Sequence, residues 1–178
     1  MHELESGLEE IRRAPRDAGR LELIVRRPAE DEREIVEEAE LDLGDGLVGD
    51  TWRVRGSSRT PDGGADPQAQ ITLMSARAVA LVAVSEDRRA LAGDQLYVDL
   101  DIGHENLPAG SRLGIGSAVI EISEKPHTGC EKFAARFGRD ALRFVNSPAG
   151  RALRLRGVNA RVVVPGRIHR GDEVRKLA

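Results

Sequence analysis

The sequence predicts a mainly β domain, a closed barrel carrying a few short helices. Three observations lead there. Short segments of alternating apolar residues recur between turns that contain glycine. Segments with helical period are few and short, which favours a barrel over an open sheet layered with helices. The chain has 178 residues, 40% hydrophobic and 32% charged, enough for one domain with a substantial core and too few for two. Aromatic residues make up only 3%, so the core must rest on Val, Leu, Ile and Ala.

In chain order, residues 1–18 read as a frayed helix or flexible N-terminal arm, and residues 19–178 as the single domain. "RLELIVRR" (20–27) alternates as a strand does. "AEDEREIVEEAE" (29–40) is helical on propensity but also fits strands with charges on a solvent face. "LGDGLVGD" (43–50) is turn chemistry, and residues 51–70 form a long loop rich in Gly, Pro, Asp and Ser. "ITLMS" (71–75) is a strand. "ARAVALVAV" and "SEDRRALAG" form a helical stretch with a second N-cap at Ser85. "QLYVDLDIG" (95–103) is a strand, and residues 107–124 read as turn, strand, Gly turn, strand. Residues 131–145 fit a helix, weakened at Gly138. Ser147 caps a second short helix with Pro148 at its first position. The C-terminal "VNARVVVPGRIHRGDEVRKL" is three strands separated by Pro-Gly and Gly-Asp turns.

Charge is placed unevenly. Residues 125–178 hold 13 Lys/Arg and 4 Asp/Glu, a net of +9, whereas residues 1–124 hold 14 and 26, a net of −12. The asymmetry suits either an anionic partner for the C-terminal part or attraction between the two parts within the fold. No apolar run reaches the roughly 18 residues of a membrane helix. The acidic start is not a secretory signal. The single cysteine cannot form an internal disulfide, which suits a reducing cytoplasm. Four scattered histidines and one cysteine do not make a zinc cluster. The glycines of "GIGSAV" do not open a helix after a strand, against a dinucleotide fingerprint. The basic part lacks interleaved aromatics, against nucleic acid.

That cysteine lies in "PHTGCEKFAARFG" (126–138). Free cysteines are often small buried hydrophobes. Here Cys130 stands between Gly129 and a charged run, at the start of the predicted helix. Unpaired N–H groups and positive side chains there favour a thiolate. Thr128 is a candidate cap. Phe133, Phe137, Ala141 and Phe144 fall on one side of the helix, and Lys132, Arg136, Arg139 and Arg143 on another.

The stretch "HENLPAGSRLGIGSAVIEISEKPHTGCEKF" resembles the signature half of a MOSC domain, named for the C-terminal domain of molybdenum cofactor sulfurases. The matching residues are Glu105-Asn106-Leu107, a G-x-R-L-x-I-G turn and strand from Gly110 to Gly116, and a Pro-x-x-x-Cys segment from Pro126 to Cys130. The upstream "GLVGD", a polar loop and "ITLMS" follow the family's order, so the resemblance spans roughly residues 20–177. Where many standalone relatives carry a "GD-R-H-G-G"-like segment, this chain has Gly49-Asp50-Thr51-Trp52-Arg53.

The resemblance implies a MOSC-type β-barrel with Cys130 at a pocket. It implies a molybdenum pterin cofactor whose metal Cys130 ligates, or a persulfide carried on that sulfur. Arg53, Lys132 and Arg136 are then expected to hold the anionic cofactor, with Asn106 and His127 making polar contacts in the same pocket. The domain is expected to stand alone, without a pyridoxal phosphate site. Three functions follow: an oxidoreductase acting on N-oxygenated small molecules, a sulfur carrier, or a non-catalytic module for an anionic ligand. The partners implied are a small molecule and an electron-donor or desulfurase protein, with neither nucleic acid nor membrane.

Overall fold

A computed structural model describes residues 2–178, with side chains from Leu4 onward. Eleven strands run in chain order. They are β1 (Ala18–Arg26), β2 (Glu34–Val36), β3 (Glu38–Asp42), β4 (Gly46–Leu47), β5 (Ile71–Ser75) and β6 (Leu96–Asp99). β7 (Arg112–Ile115), β8 (Ala118–Ile122), β9 (Val158–Val164), β10 (Gly166–His169) and β11 (Glu173–Lys176) complete the set. Seven of them close a barrel in the order β11-β7-β8-β9-β5-β6-β1, with β1 returning to β11 through Ala18↔Arg175 and Arg20↔Glu173. Closure leaves no open edge within the ring. Gly19 sits at the seam, where a Cβ would lie 1.8 Å from the Asp99 carbonyl oxygen, so only glycine permits this approach.

The far half of β1 extends past the barrel and pairs with β2, while β10, β3 and β4 form a smaller sheet. Within the acidic 29–40 segment, residues 34–36 and 38–40 therefore resolve as strand with their charges facing solvent, while residues 29–33 form the β1–β2 loop. Leu41 alone of β3 is fully buried.

Alternation sorts the core into two layers. Leu73, Leu96, Val98, Ile120, Ala160 and Val174 fill the barrel interior. Their neighbours Met74 and Tyr97 point outward into a second cluster with Val79, Phe133, Phe144 and Leu155. β5 is buried on both faces for this reason, and it pairs parallel with β6. The crossover between them carries a helix and a 3-10 segment, as a parallel pair requires.

Among the described residues, seven short helices decorate the barrel. α1 (His2–Ser6) and α2 (Leu8–Arg12) occupy the expected arm and lay Ile11 into the outer cluster. α3 (Trp52–Arg55) interrupts the expected long loop. α4 (Ala76–Ala83) is capped by Ser75, whose hydroxyl accepts from Ala78 N. The expected second helix after it is a 3-10 segment, Glu86–Ala92, in which Ser85 makes no side-chain cap bond. The predicted 131–145 helix breaks at Gly138 (φ 91°) into α5 (Glu131–Phe137) and α6 (Arg139–Asn146). α7 (Pro148–Ala152) starts with Ser147 accepting from Gly150 N, as expected. Among the described residues no helix is long and apolar enough to cross a membrane.

Candidate functional site

A cavity of about 620 Å³ opens beside the barrel. Its wall comes from the β1–β2 loop, α3 and the loop after it, the turn before β6, the segment between β8 and α5, and the start of β9. Six arginines (27, 33, 55, 59, 136 and 156) and two lysines (125 and 132) line it, against the carboxylates Glu30 and Asp31.

Two buried carboxylates anchor this cationic wall from beneath. Asp50 grips Arg27 at both ends, with Nε 2.8 Å from Oδ1 and Nη2 2.7 Å from Oδ2. It also accepts from the Arg27 and Trp52 backbone N–H groups and from the Gln95 amide. Asp94, fully buried ahead of β6, accepts from Arg156 Nη1 at 2.5 Å and faces His127 Nε2 at 2.9 Å. Burial alone would raise the Asp94 carboxyl, but Arg156 and His127 outweigh it and hold it below the usual carboxylate range. Burial first, then Arg156, pushes the His127 imidazole below its ordinary value despite Asp94. His127 is therefore neutral near pH 7, with Nε2–H donating to Asp94 and Nδ1 left as an acceptor. Gly157 (φ 113°) makes room here: a Cβ would lie 2.2 Å from Leu73 O and 3.1 Å from the His127 ring.

The remaining arginines crowd one another. Burial and then Arg136 lower the Arg33 guanidinium, while burial and then Arg27 lower Arg55. The Nε atoms of Arg33 and Arg156 are buried without a hydrogen-bond partner. Arg156 also lies over the Phe133 ring, 5.1 Å from its centroid. Such a wall holds more donors and positive charge than its own carboxylates satisfy, which is the chemistry of an anion site.

Cys130 stands at this wall as an exposed free thiol, so the reading of it as a buried small hydrophobe fails. It occupies the N-cap position of α5 without a side-chain cap bond, and Thr128 makes no cap there. Of the residues expected around it, His127, Lys132 and Arg136 line the same cavity. Arg136 reaches Leu91 O at 3.0 Å and Asp31 at 3.2 Å.

Arg53 and Asn106 lie apart from the others. Neither lines the cavity. Arg53 is exposed and bonds Asp45 at 2.5 Å, while Arg55, also exposed, lines the cavity. Two residues apart on a helix point to opposite sides, so only one of the pair can face the cavity. Asn106 is buried as a clasp: its amide donates to the Arg16 and Asp101 carbonyls at 2.8 and 2.7 Å. Lys176 Nζ lies 3.4 Å from its Oδ1. Asn106 thus ties the segment after α2 and β11 to the turn before β7.

Sequence reasoning missed Arg27, Arg33, Arg55, Arg59, Arg156 and Asp94. They lie far apart in sequence and no local motif links them. The C-terminal positive charge was a signal only for Arg156.

A closed seven-strand barrel with one accessible cysteine on an arginine-lined cavity defines a thiol-bearing β-barrel domain with a cationic cavity. The MOSC domain family model matches residues 64–175, and the chain belongs to that family. The fold is similar to the crystal structure of the YuaD protein from Bacillus subtilis. That match has a TM-score of 0.65 and 18% identity, covering 88% of this chain and 94% of that one. It is similar also to YiiM from Escherichia coli, with a TM-score of 0.58 and 18% identity, covering 89% and 70%. YiiM from Geobacillus stearothermophilus aligns with a TM-score of 0.55 and 12% identity, covering 92% and 74%. No curated protein matches the chain by sequence.

Proposed function

We propose that the chain binds a molybdenum pterin cofactor in the arginine-lined cavity, with Cys130 as the thiolate ligand, and reduces N-oxygenated small molecules. The observation that carries this is the placement of the single, exposed cysteine on a wall of guanidinium groups that outnumber the carboxylates lining the same cavity. The family supplies the prior for the cofactor. The residues present fit it: an anionic phosphate would meet the cationic wall of Arg33, Arg55, Arg59, Lys132 and Arg136. No cluster of three or more His, Cys, Asp or Glu gathers among the described residues. A metal carried inside a cofactor, however, needs only one protein sulfur.

When bound, the cofactor would supply the two-electron redox chemistry. The chain's own groups do the rest. Arg55, Arg59, Lys132 and Arg136 would hold the anionic part, and Cys130 would fix the metal's position. Neutral His127, held by Asp94, keeps Nδ1 as a proton acceptor in the wall. The net reaction breaks the N–O bond of an N-hydroxy substrate. It consumes two electrons and two protons and yields the N–H compound and water. The electrons come from a partner protein.

The test is reduction of a benzamidoxime by the protein purified from molybdate-supplied cells, with reduced methyl viologen as donor. Turnover that disappears in Cys130→Ser supports the reading. Wild-type protein that carries molybdenum yet never turns over refutes the reaction.

A second reading rests on the exposure of the thiol. A separate desulfurase could load Cys130 with sulfane sulfur. Incubation with such an enzyme and cysteine should then add one sulfur mass to Cys130, and an unmodified thiol ends that reading.

A further inference from the structure

A second cavity, of about 400 Å³, lies behind the Lys125–Thr128 segment. It shares Lys125, His127 and Arg156 with the first cavity but excludes Cys130. Its own wall is again cationic: Arg151 and Arg154 join Lys125 and Arg156, against the single carboxylate Glu124. Lys125 is paired with Asp66, and Arg156 with Asp94, outside this cavity.

Three details mark it as built rather than incidental. Ser123 and Arg156 both line it; Ser123 Oγ and Arg156 Nε are buried without a hydrogen-bond partner, and Arg156 is only 8% exposed. Buried donors of this kind are rarely left empty-handed in a folded protein. Arg154 holds a left-handed backbone (φ 51°), unusual for a long side chain, and its Nη1 is pinned to the Leu107 carbonyl at 2.5 Å. Strain of this sort tends to collect at ligand sites. His104, the remaining titratable group on the wall, is lowered by burial and then by Arg154.

We propose that this second cavity binds a small oxyanion, a phosphate- or carboxylate-bearing molecule, independently of any group held at Cys130. Ser123 Oγ and Arg156 Nε donate to its oxygens, and Arg151 and Arg154 balance its charge. The volume exceeds that of a bare phosphate and leaves room for an organic molecule that carries the oxyanion. The site stands whether or not Cys130 ligates a metal, so it can fail without touching the proposed function, and the reverse.

The experiment is titration of the full chain with inorganic phosphate, and separately with succinate, followed by amide and imidazole NMR. Saturable shifts at Ser123, His104 and Arg151 are expected, with an upward shift of the His104 titration on binding. The anion giving the stronger response identifies the head group. Arg151→Glu reverses an exposed charge on α7 and should weaken binding about tenfold or more. Lys132→Ala, confined to the first cavity, should leave it unchanged. No saturable shift with either anion overturns the proposal, as do shifts confined to Arg55, Lys132 and Arg136. So does affinity that survives Arg151→Glu and falls in Lys132→Ala. The wild-type shift map stands on its own should Arg151→Glu fold poorly.

Discussion

Arg156 Nη1 lies 2.5 Å from Asp94 Oδ2, and neither side chain is more than 9% exposed. This pair ties the start of β9 to the turn before β6 beneath the candidate site. Its second carboxylate oxygen holds His127, three residues from Cys130. One buried carboxylate therefore positions both an arginine of the cavity wall and the segment that presents the thiol.

Removing one partner of such a pair leaves the other charge buried and uncompensated. Asp94→Ala should destabilise the protein by about 3–5 kcal/mol, measured by urea unfolding. A loss within about 1 kcal/mol would place the pair among weakly contributing surface bridges.

His127 links stability to pH. Its folded-state pKa lies below the ordinary value, chiefly through burial. As pH falls below about 6.5 the unfolded chain takes up a proton that folded His127 refuses, so stability declines. His104 is lowered too and adds in the same direction. Thermal melts from about pH 7.5 to pH 5 should show this decline, shallower in His127→Gln because the His127 contribution is gone. An identical slope in the variant would show that His127 titrates as it does when unfolded.

Phe133 is 2% exposed, tilts against Phe137 at 4.9 Å between centroids, and lies beneath the Arg156 guanidinium. Phe133→Ala should cost about 3–5 kcal/mol and loosen Arg156 as well. Chemical denaturation reads the first effect, and the NMR linewidth of the Arg156 side chain reads the second.

Arg55 and Arg53 separate the cavity from the surface. Arg55→Ala should reduce molybdenum retained after dialysis by about tenfold, as loss of one charge-assisted contact to an anion does. Arg53→Ala loses only a pair exposed at 65% and 46% and should change retention little. Equal effects from both substitutions would mean that the metal is held elsewhere.

Much of the fold was legible because its signals are local. β5, the β7–β8 hairpin, the Ser147–Pro148 helix start and the three C-terminal strands each carry their own alternation or turn chemistry. The 29–40 segment was ambiguous because its charges favour helix while its pairing with β1 and β10 makes it strand. The break at Gly138 was visible as a weak point. The site was legible only around Cys130, where His127, Lys132 and Arg136 follow from proximity along the chain. Arg27, Arg55 and Arg156 reach the cavity only once the barrel closes, and no periodicity announces that. A matching motif position such as Asn106 looks the same in sequence whether its amide meets a ligand or two backbone carbonyls, as it does here.

The central claim is that Cys130 is a metal-binding thiolate in a cationic cavity. The most direct measurement is the molybdenum-to-chain ratio of freshly purified wild-type and Cys130→Ser proteins, with the fold of each verified. The account predicts a ratio near one for the wild type and a near-complete loss in the variant. A wild-type protein without molybdenum after growth on molybdate, or a serine variant that keeps all of it, would contradict it.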